Sequence, residues 1–347
     1  MARTGTADRE QGDPGVDVHV AGRTLTITNP AKVYFPARGD TKLDLVRYYL
    51  AVEAPVMRQM LDRPVLLQRF PNGSQGSSFF QKRIPDSAPD WLHTTTVSTP
   101  NGTESRALVI ADLAHLVWAV NLGCLGFHSW PTRATDMAHC DELRIDLDPG
   151  PGTTYAMAQE AAAETHRLLA ELGVQGFVKT SGNRGLHVYV RLQPTHDSVA
   201  VRSAAVAVAR ELERRRPDLV TASWWKEQRG ERIFIDFNQN APHKTVFAPW
   251  SVRALDHAPV SFPFPWELLA SLRPHEMTIA TVPPWVNEHG DAWATMNDHP
   301  QSIEPFLDMV RADQAAGLED APWPPVYPKM AGEPTRVAPS RARKQPG

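Results

Sequence analysis

One stretch of this chain, Arg144-Ile145-Asp146-Leu147-Asp148-Pro149-Gly150, constrains its fold more than any other. Side chains at i and i+2 of a β-strand point the same way, so a strand here sets Asp146 and Asp148 side by side on one face. Two converging carboxylates repel each other unless a proton or a cation lies between them, and a hard divalent metal is the usual remedy. A strand that ends in two solvated acids before a Pro-Gly turn would look the same. Two further segments bear on the choice.

Lys179-Thr180-Ser181-Gly182-Asn183-Arg184-Gly185-Leu186-His187 runs a small glycine-bearing loop straight into an apolar strand. Gly182 and Gly185 let backbone N–H groups approach an anion, and Ser181, Arg184 and His187 add donors suited to phosphate. A hairpin turn with polar decoration is the alternative reading. Glu231-Arg232-Ile233-Phe234-Ile235-Asp236-Phe237-Asn238 is an apolar, strand-like run with one acid. A lone carboxylate there is costly to bury unless it is paired or binds metal, which makes Asp236 a candidate third ligand. Three carboxylates beside a phosphate loop suit two-metal nucleotidyl transfer.

Asp-x-Asp, then Ser-Gly-x-x-Gly-x-His, then a lone Asp on a strand resembles the archaeo-eukaryotic primase superfamily, and in particular the polymerase domain of bacterial ligase D. The resemblance covers roughly residues 25–323. It includes Asn29-Pro30-Ala31-Lys32-Val33 and Thr41-Lys42, Arg63-Pro64-Val65, Pro71-Asn72-Gly73, Phe79-Phe80-Gln81-Lys82, Gly126-Phe127-His128-Ser129-Trp130, Gln239-Asn240 and Ser251-Val252-Arg253. It implies an α+β primase fold: mixed and antiparallel sheets, with an RNA-recognition-motif-like catalytic module flanked by helices. It also implies two ions, Mn²⁺ or Mg²⁺, on Asp146, Asp148 and Asp236, with Ser181, Gly182, Arg184, Gly185, His187, His128 and Arg253 around the nucleotide. Lys32 and Lys42 would hold the 5′-phosphate of a downstream strand, while Phe79 and Phe80, with Asn72, Lys82 and Arg229, would meet the template. Arg184 stands where relatives commonly carry lysine, replacing a point donor with a planar fork.

The implied activity is template-directed extension of a 3′-end, filling short gaps or extending DNA breaks in repair, with NTPs favoured over dNTPs. A nuclease or phosphoesterase would use the same acids, and an end-binding module the same basic residues. De novo priming stays open. Ku and a separate ATP-dependent ligase are the implied partners, with the ligase and phosphoesterase activities expected from another protein. A monomer is the simplest expectation.

A net charge of −3 hides an uneven distribution. Residues 22–85 hold ten Lys or Arg against four Asp or Glu, about +6, interleaved with Tyr34, Phe35, Phe70, Phe79 and Phe80. That pattern suits a phosphate track with stacking platforms. Two cysteines, Cys124 and Cys140, exclude a four-cysteine zinc site and suit a reducing cytoplasm, and the resemblance to bacterial ligase D implies a bacterial, nucleoid-associated one. No signal-like or membrane-length apolar run is present.

The expected organisation is a disordered extension over 1–16, a catalytic domain over 17–322, and a flexible Pro-rich basic tail over 323–347. Within the domain an α/β module (about 17–135) precedes the catalytic module (about 136–260) and a helical part. Thr41-Lys42-Leu43-Asp44 reads as a capping box opening a helix to about Leu61, with Leu45, Tyr48, Tyr49 and Val52 buried. Helices are also expected from about Ser105 to Val120, Thr154 to Leu172, and Asp197 to Arg214, with strands at 65–70, 94–97, 177–180 and 187–192.

Overall fold

Alternating segments of the chain form two large sheets and two small two-stranded ones, and helically periodic segments cover the large sheets. The computed structural model describes residues 14–330 and 332–334. A hairpin of β1 (Val16–Val20) and β2 (Arg23–Ile27) leads through β3 (Val33–Phe35) and β4 (Asp40–Thr41) to α1 (Lys42–Ala51) and α2 (Glu53–Met60). Next come β5 (Arg63–Arg69), β6 (Phe79–Gln81), β7 (Thr94–Ser98), β8 (Glu104–Ile110), α3 (Leu113–Asn121) and β9 (Cys124–Ser129). The Asp-x-Asp strand is β10 (Glu142–Pro149), followed by α4 (Tyr155–Glu171), β11 (Phe177–Thr180), β12 (Leu186–Arg191) and α5 (Ser198–Arg215). β13 (Val220–Thr221), α6 (Lys226–Arg229), β14 (Ile233–Ile235), β15 (Val246–Phe247), α7 (Val282–His289) and α8 (Glu304–Ala315) complete the order.

One sheet runs β11-β12-β10-β14-β13, antiparallel except for the parallel β13–β14 edge; the other runs β15-β9-β5-β8-β7, with β6 also paired to β5. β10 alternates: Leu143, Ile145 and Leu147 are buried in the main core with the Ala-rich faces of α4 and α5. Small alanines let those helices approach the sheet closely, and the opposite face of β10 carries Glu142, Arg144, Asp146 and Asp148. The expected α+β architecture is present, and Thr41, Thr154 and Asp197 cap α1, α4 and α5.

Several expectations are corrected. Residues Glu104–Ile110 form a strand, not the start of a helix, because Asn101-Gly102 closes a hairpin that pairs Thr94–Ser98 with Glu104–Leu108. The helix expected to reach Leu61 breaks at Val52, since Pro55 lacks the N–H that a continuous helix would bond to Ala51. Asp236 lies just past β14 and caps a short 3-10 helix rather than sitting within the strand. The expected 1–16 extension lies outside the described residues as far as position 13, and β1 already begins at Val16.

The start of the Pro-rich tail is not a loose extension. Trp323 and Tyr327 are buried, the Trp323 indole donates to Asp320 at 2.8 Å, and the Arg202 guanidinium lies 3.9 Å from the Trp323 ring centre. Arg336, Arg341, Arg343 and Lys344 lie outside the described residues. Among the described residues no helix is long and apolar enough to cross a membrane.

Candidate active site

The three acids meet because of register. Asp146 pairs across β10–β12 with His187, Leu147 pairs across β10–β14 with Ile235, and the Asp236 amide donates to the Asp146 carbonyl at 2.9 Å. Burial, then the charges of Asp236 and Asp148, push the Asp146 carboxyl well above its ordinary range. Burial also raises Asp148 and Asp236; Arg229, Arg184 and Lys226 oppose the shift at Asp148, and a 2.8 Å hydrogen bond from Gln239 opposes it at Asp236. Among the described residues no three acid, imidazole or thiol groups are drawn into a closed metal cage. The donor chemistry fits a divalent cation all the same: the carboxylates are hard oxygen donors that destabilise one another's charge, and a bound cation relieves that repulsion.

Beside them the loop 181–185 is folded tightly on itself. The Ser181 hydroxyl oxygen accepts from the Asn183 and Gly185 amides at 3.2 and 3.1 Å, which leaves its own proton free to be donated. Gly182 has φ +75°, and a Cβ on Gly185 would sit 2.7 Å from the Leu147 carbonyl oxygen. That carbonyl is fixed in the β10 ladder, so Gly185→Ala must displace the loop. A drop of about 10²-fold in kcat/KM for nucleotide is expected from such a misplacement, read by steady-state incorporation with a far-ultraviolet spectrum confirming the fold.

Arg253 joins the loop to the acids. Its Nε donates to the Ser181 carbonyl at 2.9 Å, its guanidinium lies 3.5 Å from the Phe247 ring centre, and burial lowers its pKa to about 10 against the pull of Asp146. His187 is buried with Nε2 3.4 Å from Asp146 Oδ1, and burial together with Lys179 and Arg253 keeps the imidazole neutral at pH 7. His128 is wedged edge-on between Phe80 and Phe247, 5.4 and 5.1 Å away, and burial lowers it to about 3. Arg184 has no hydrogen bond or ion pair among the described residues and lies near enough to Asp148 to favour its charge.

The expected template group is divided. Phe79 and Phe80 are exposed, at 47% and 57%, on edge strand β6, with the Arg69 guanidinium 5.1 Å from the Phe79 ring centre; Tyr34, Phe35 and Phe70 are core instead. Lys82 is half-buried just after Gln81. Arg229 donates to the Ser223 and Trp224 carbonyls, covers Phe234 at 3.4 Å, and senses Asp236 and Asp148.

The two expected phosphate lysines differ. Lys32 is half-buried, and its ammonium donates to the exposed Asn72 side chain at 2.9 Å. Lys42 is only 4% exposed, with its ammonium donating to the Thr28 and Asn121 carbonyls at 2.5 and 3.1 Å; burial and neighbouring Lys32 lower it to about 8. It therefore ties β2 to α3 beneath Lys32 rather than reaching into solvent.

Sequence reasoning missed Lys179 and Gln239. Lys179 is fully buried behind Asp146 and donates to Ser261 Oγ at 2.5 Å and the Phe247 carbonyl at 3.2 Å, and burial with the charge of Arg253 lowers its pKa well below the ordinary lysine value. Its only sequence signal was its place immediately before Thr180-Ser181.

Residues 41–293 match the model of the LigD primase-polymerase domain. The chain belongs to the LigD primase-polymerase family. It is 33% identical over 307 residues to the multifunctional non-homologous end joining protein LigD of Mycolicibacterium smegmatis, covering 88% of this chain and 40% of that protein. It is 31% identical to the bifunctional LigD of Bacillus subtilis, covering 80% of this chain and 45% of that one. The chain thus spans less than half the length of these curated relatives. Its fold matches the polymerase domain of Mycobacterium tuberculosis ligase D, solved in complex with DNA, with a TM-score of 0.75 at 32% identity over 80% of this chain and 99% of that one.

Proposed function

We propose that this LigD primase-polymerase relative is a template-directed nucleotidyltransferase that extends a 3′-end across short gaps or at DNA breaks. The observation that carries the reading is three carboxylates with raised pKa values beside a glycine loop, where half-buried Arg253 and Arg184, unpaired among the described residues, suit a triphosphate. A nuclease has the acids without needing such a cradle.

Divalent ions on Asp146, Asp148 and Asp236, two of them and Mn²⁺ or Mg²⁺, would lower the pKa of the attacking 3′-hydroxyl and offset charge on the phosphates. Arg184 and Arg253 hold the triphosphate oxygens, and the Ser181 hydroxyl donates a further hydrogen bond. His187, uncharged at neutral pH, contributes a hydrogen bond rather than a charge. Phe79 and Phe80 offer π-faces to template bases, each worth about 1–3 kcal/mol. Family resemblance supports a preference for ribonucleotides. The end-joining names of the relatives point to Ku and an ATP-dependent ligase as partners.

The test is primer extension on a short gapped duplex with Mn²⁺, comparing NTPs with dNTPs and a downstream 5′-phosphate with a 5′-hydroxyl. Phosphate-stimulated extension is the expected result. Absence of extension alongside intact phosphate-dependent binding would instead make the chain an end-binding module. Lys32→Ala is expected to remove the stimulation, weakening binding of the 5′-phosphorylated gap by about tenfold or more, the worth of one charge-assisted hydrogen bond, while leaving the 5′-hydroxyl substrate unaffected.

A further inference from the structure

Gly182, Asn183 and Arg184 wall a second space besides the active site. It is a cavity of about 580 Å³ that reaches from the loop to the start of α4 and to Leu255, His257 and Arg273. None of Asp146, Asp148 and Asp236 lines it.

The charge around this cavity has one sign. Arg184 and Arg273 bring guanidinium groups, His257 and His275 bring imidazoles, and no carboxylate stands in the lining among the described residues. Neither arginine has a carboxylate partner there; the Arg273 guanidinium donates to the Ala270 and Leu272 carbonyls, both at 3.2 Å. The acids next in sequence are exposed and lie outside the lining: Asp256 accepts from Gln75 at 3.2 Å, and Glu276 Oε1 is 4.0 Å from His275 Nε2. Burial, then neighbouring His275, holds the His257 imidazole below its ordinary range despite Asp256, so at neutral pH it offers an N–H rather than a charge. The Tyr155 hydroxyl on the same wall is buried without a hydrogen-bond partner among the described residues, and burial keeps it protonated, a donor. α4 starts here with no acid in its first turn, which adds the positive end of its dipole.

A space walled by unmatched donors suits a ligand that only accepts and carries several negative charges. We propose that this cavity receives the pyrophosphate released by nucleotidyl transfer. The inference rests on the polymerase reading above. In that reaction the 3′-oxygen bonds to the α-phosphorus, the bridging oxygen leaves with the β- and γ-phosphates, and the hydroxyl proton passes to solvent water. Arg184 belongs to both spaces: its charge is felt at Asp148, and its side chain lines the cavity. A diphosphate held by Arg184 can therefore pass from the acids to Arg273 without losing that contact.

The test is pyrophosphate inhibition of primer extension on the gapped duplex, with calorimetric titration of pyrophosphate in chelator, for the full chain as wild type, Arg273→Ala and Arg273→Lys. Arg273 is exposed, so its replacement leaves the fold intact. Arg273→Ala should raise both the inhibition constant and the dissociation constant by about tenfold or more, the worth of one charge-assisted hydrogen bond, with kcat and KM for nucleotide unchanged; Arg273→Lys should recover part of the loss. Inhibition and binding that ignore Arg273 would overturn the proposal, leaving pyrophosphate on the triphosphate contacts alone. A parallel rise in nucleotide KM would also overturn it, by placing Arg273 in the nucleotide site. Extension with binding independent of Arg273 would spare the polymerase reading, whereas Arg273-dependent binding without any extension would sink that reading and leave a polyanion site.

Discussion

Asp146→Ala is expected to reduce nucleotide incorporation by about 10³-fold or more, because it removes the central carboxylate of a set whose ions would supply several kcal/mol of transition-state stabilisation. Asp146→Asn separates this from packing. It keeps the shape and deletes a charge that burial, Asp236 and Asp148 all disfavour, so the folded pKa of Asp146 lies above its unfolded value. Folding then takes up a proton. The group's contribution to stability is full below the unfolded pKa and is lost as pH rises through the folded one. In chelator, Asp146→Asn should therefore melt above wild type at neutral pH, with the gap narrowing toward acid pH and shrinking when Mn²⁺ is added. A gap that ignores both pH and metal would contradict the charge argument, and an active alanine variant would sink the catalytic one.

Much of this site was readable in the chain because strands impose a strict period. Asp146 and Asp148 had to share a face once the segment was a strand, and of the loop glycines Gly182 takes φ +75° while a Cβ on Gly185 would strike the Leu147 carbonyl oxygen. Capping side chains at Thr41, Thr154 and Asp197 are local in sequence, so their helices began where expected. The failures concern long-range choices. Nothing local distinguishes the ammonium of Lys42, sunk under Asn121 seventy-nine residues away, from that of Lys32 in the same basic stretch. Phe70 and Phe79 likewise differ in exposure only because β5 crosses the middle of its sheet and β6 lies on its edge. The first half of the helix expected from Ser105 was lost to pairing with Thr94–Ser98, an override of local pattern by a hairpin whose Asn-Gly signal was present, while its second half forms α3.

The same face of β10 explains why one of its acids should be indispensable for stability and another dispensable. Glu142 is buried with Arg63 at 2.7 Å, Arg144 at 2.7 Å and Arg191 at 3.1 Å, so Glu142→Gln would leave Arg144 without a carboxylate and Arg63, Arg133 and Arg191 sharing Asp141 alone. Breaking one side of a buried ion pair strands the partner's charge, at a cost of about 3–5 kcal/mol. Asp148, six residues along, is exposed and has no ion pair among the described residues, and partial desolvation raises its pKa against the opposing charges of Arg229, Arg184 and Lys226. Thermal melts in chelator should show Glu142→Gln strongly destabilised and Asp148→Asn equal to or above wild type, whereas incorporation assays should reverse the order, with Asp148→Asn the more damaged. Equal melting of the two variants would mean that these guanidinium groups are solvated rather than held by Glu142. The reversal, if seen, would show one strand dividing its acids by burial and pairing: those matched with arginine hold the fold, and those left facing one another do the chemistry.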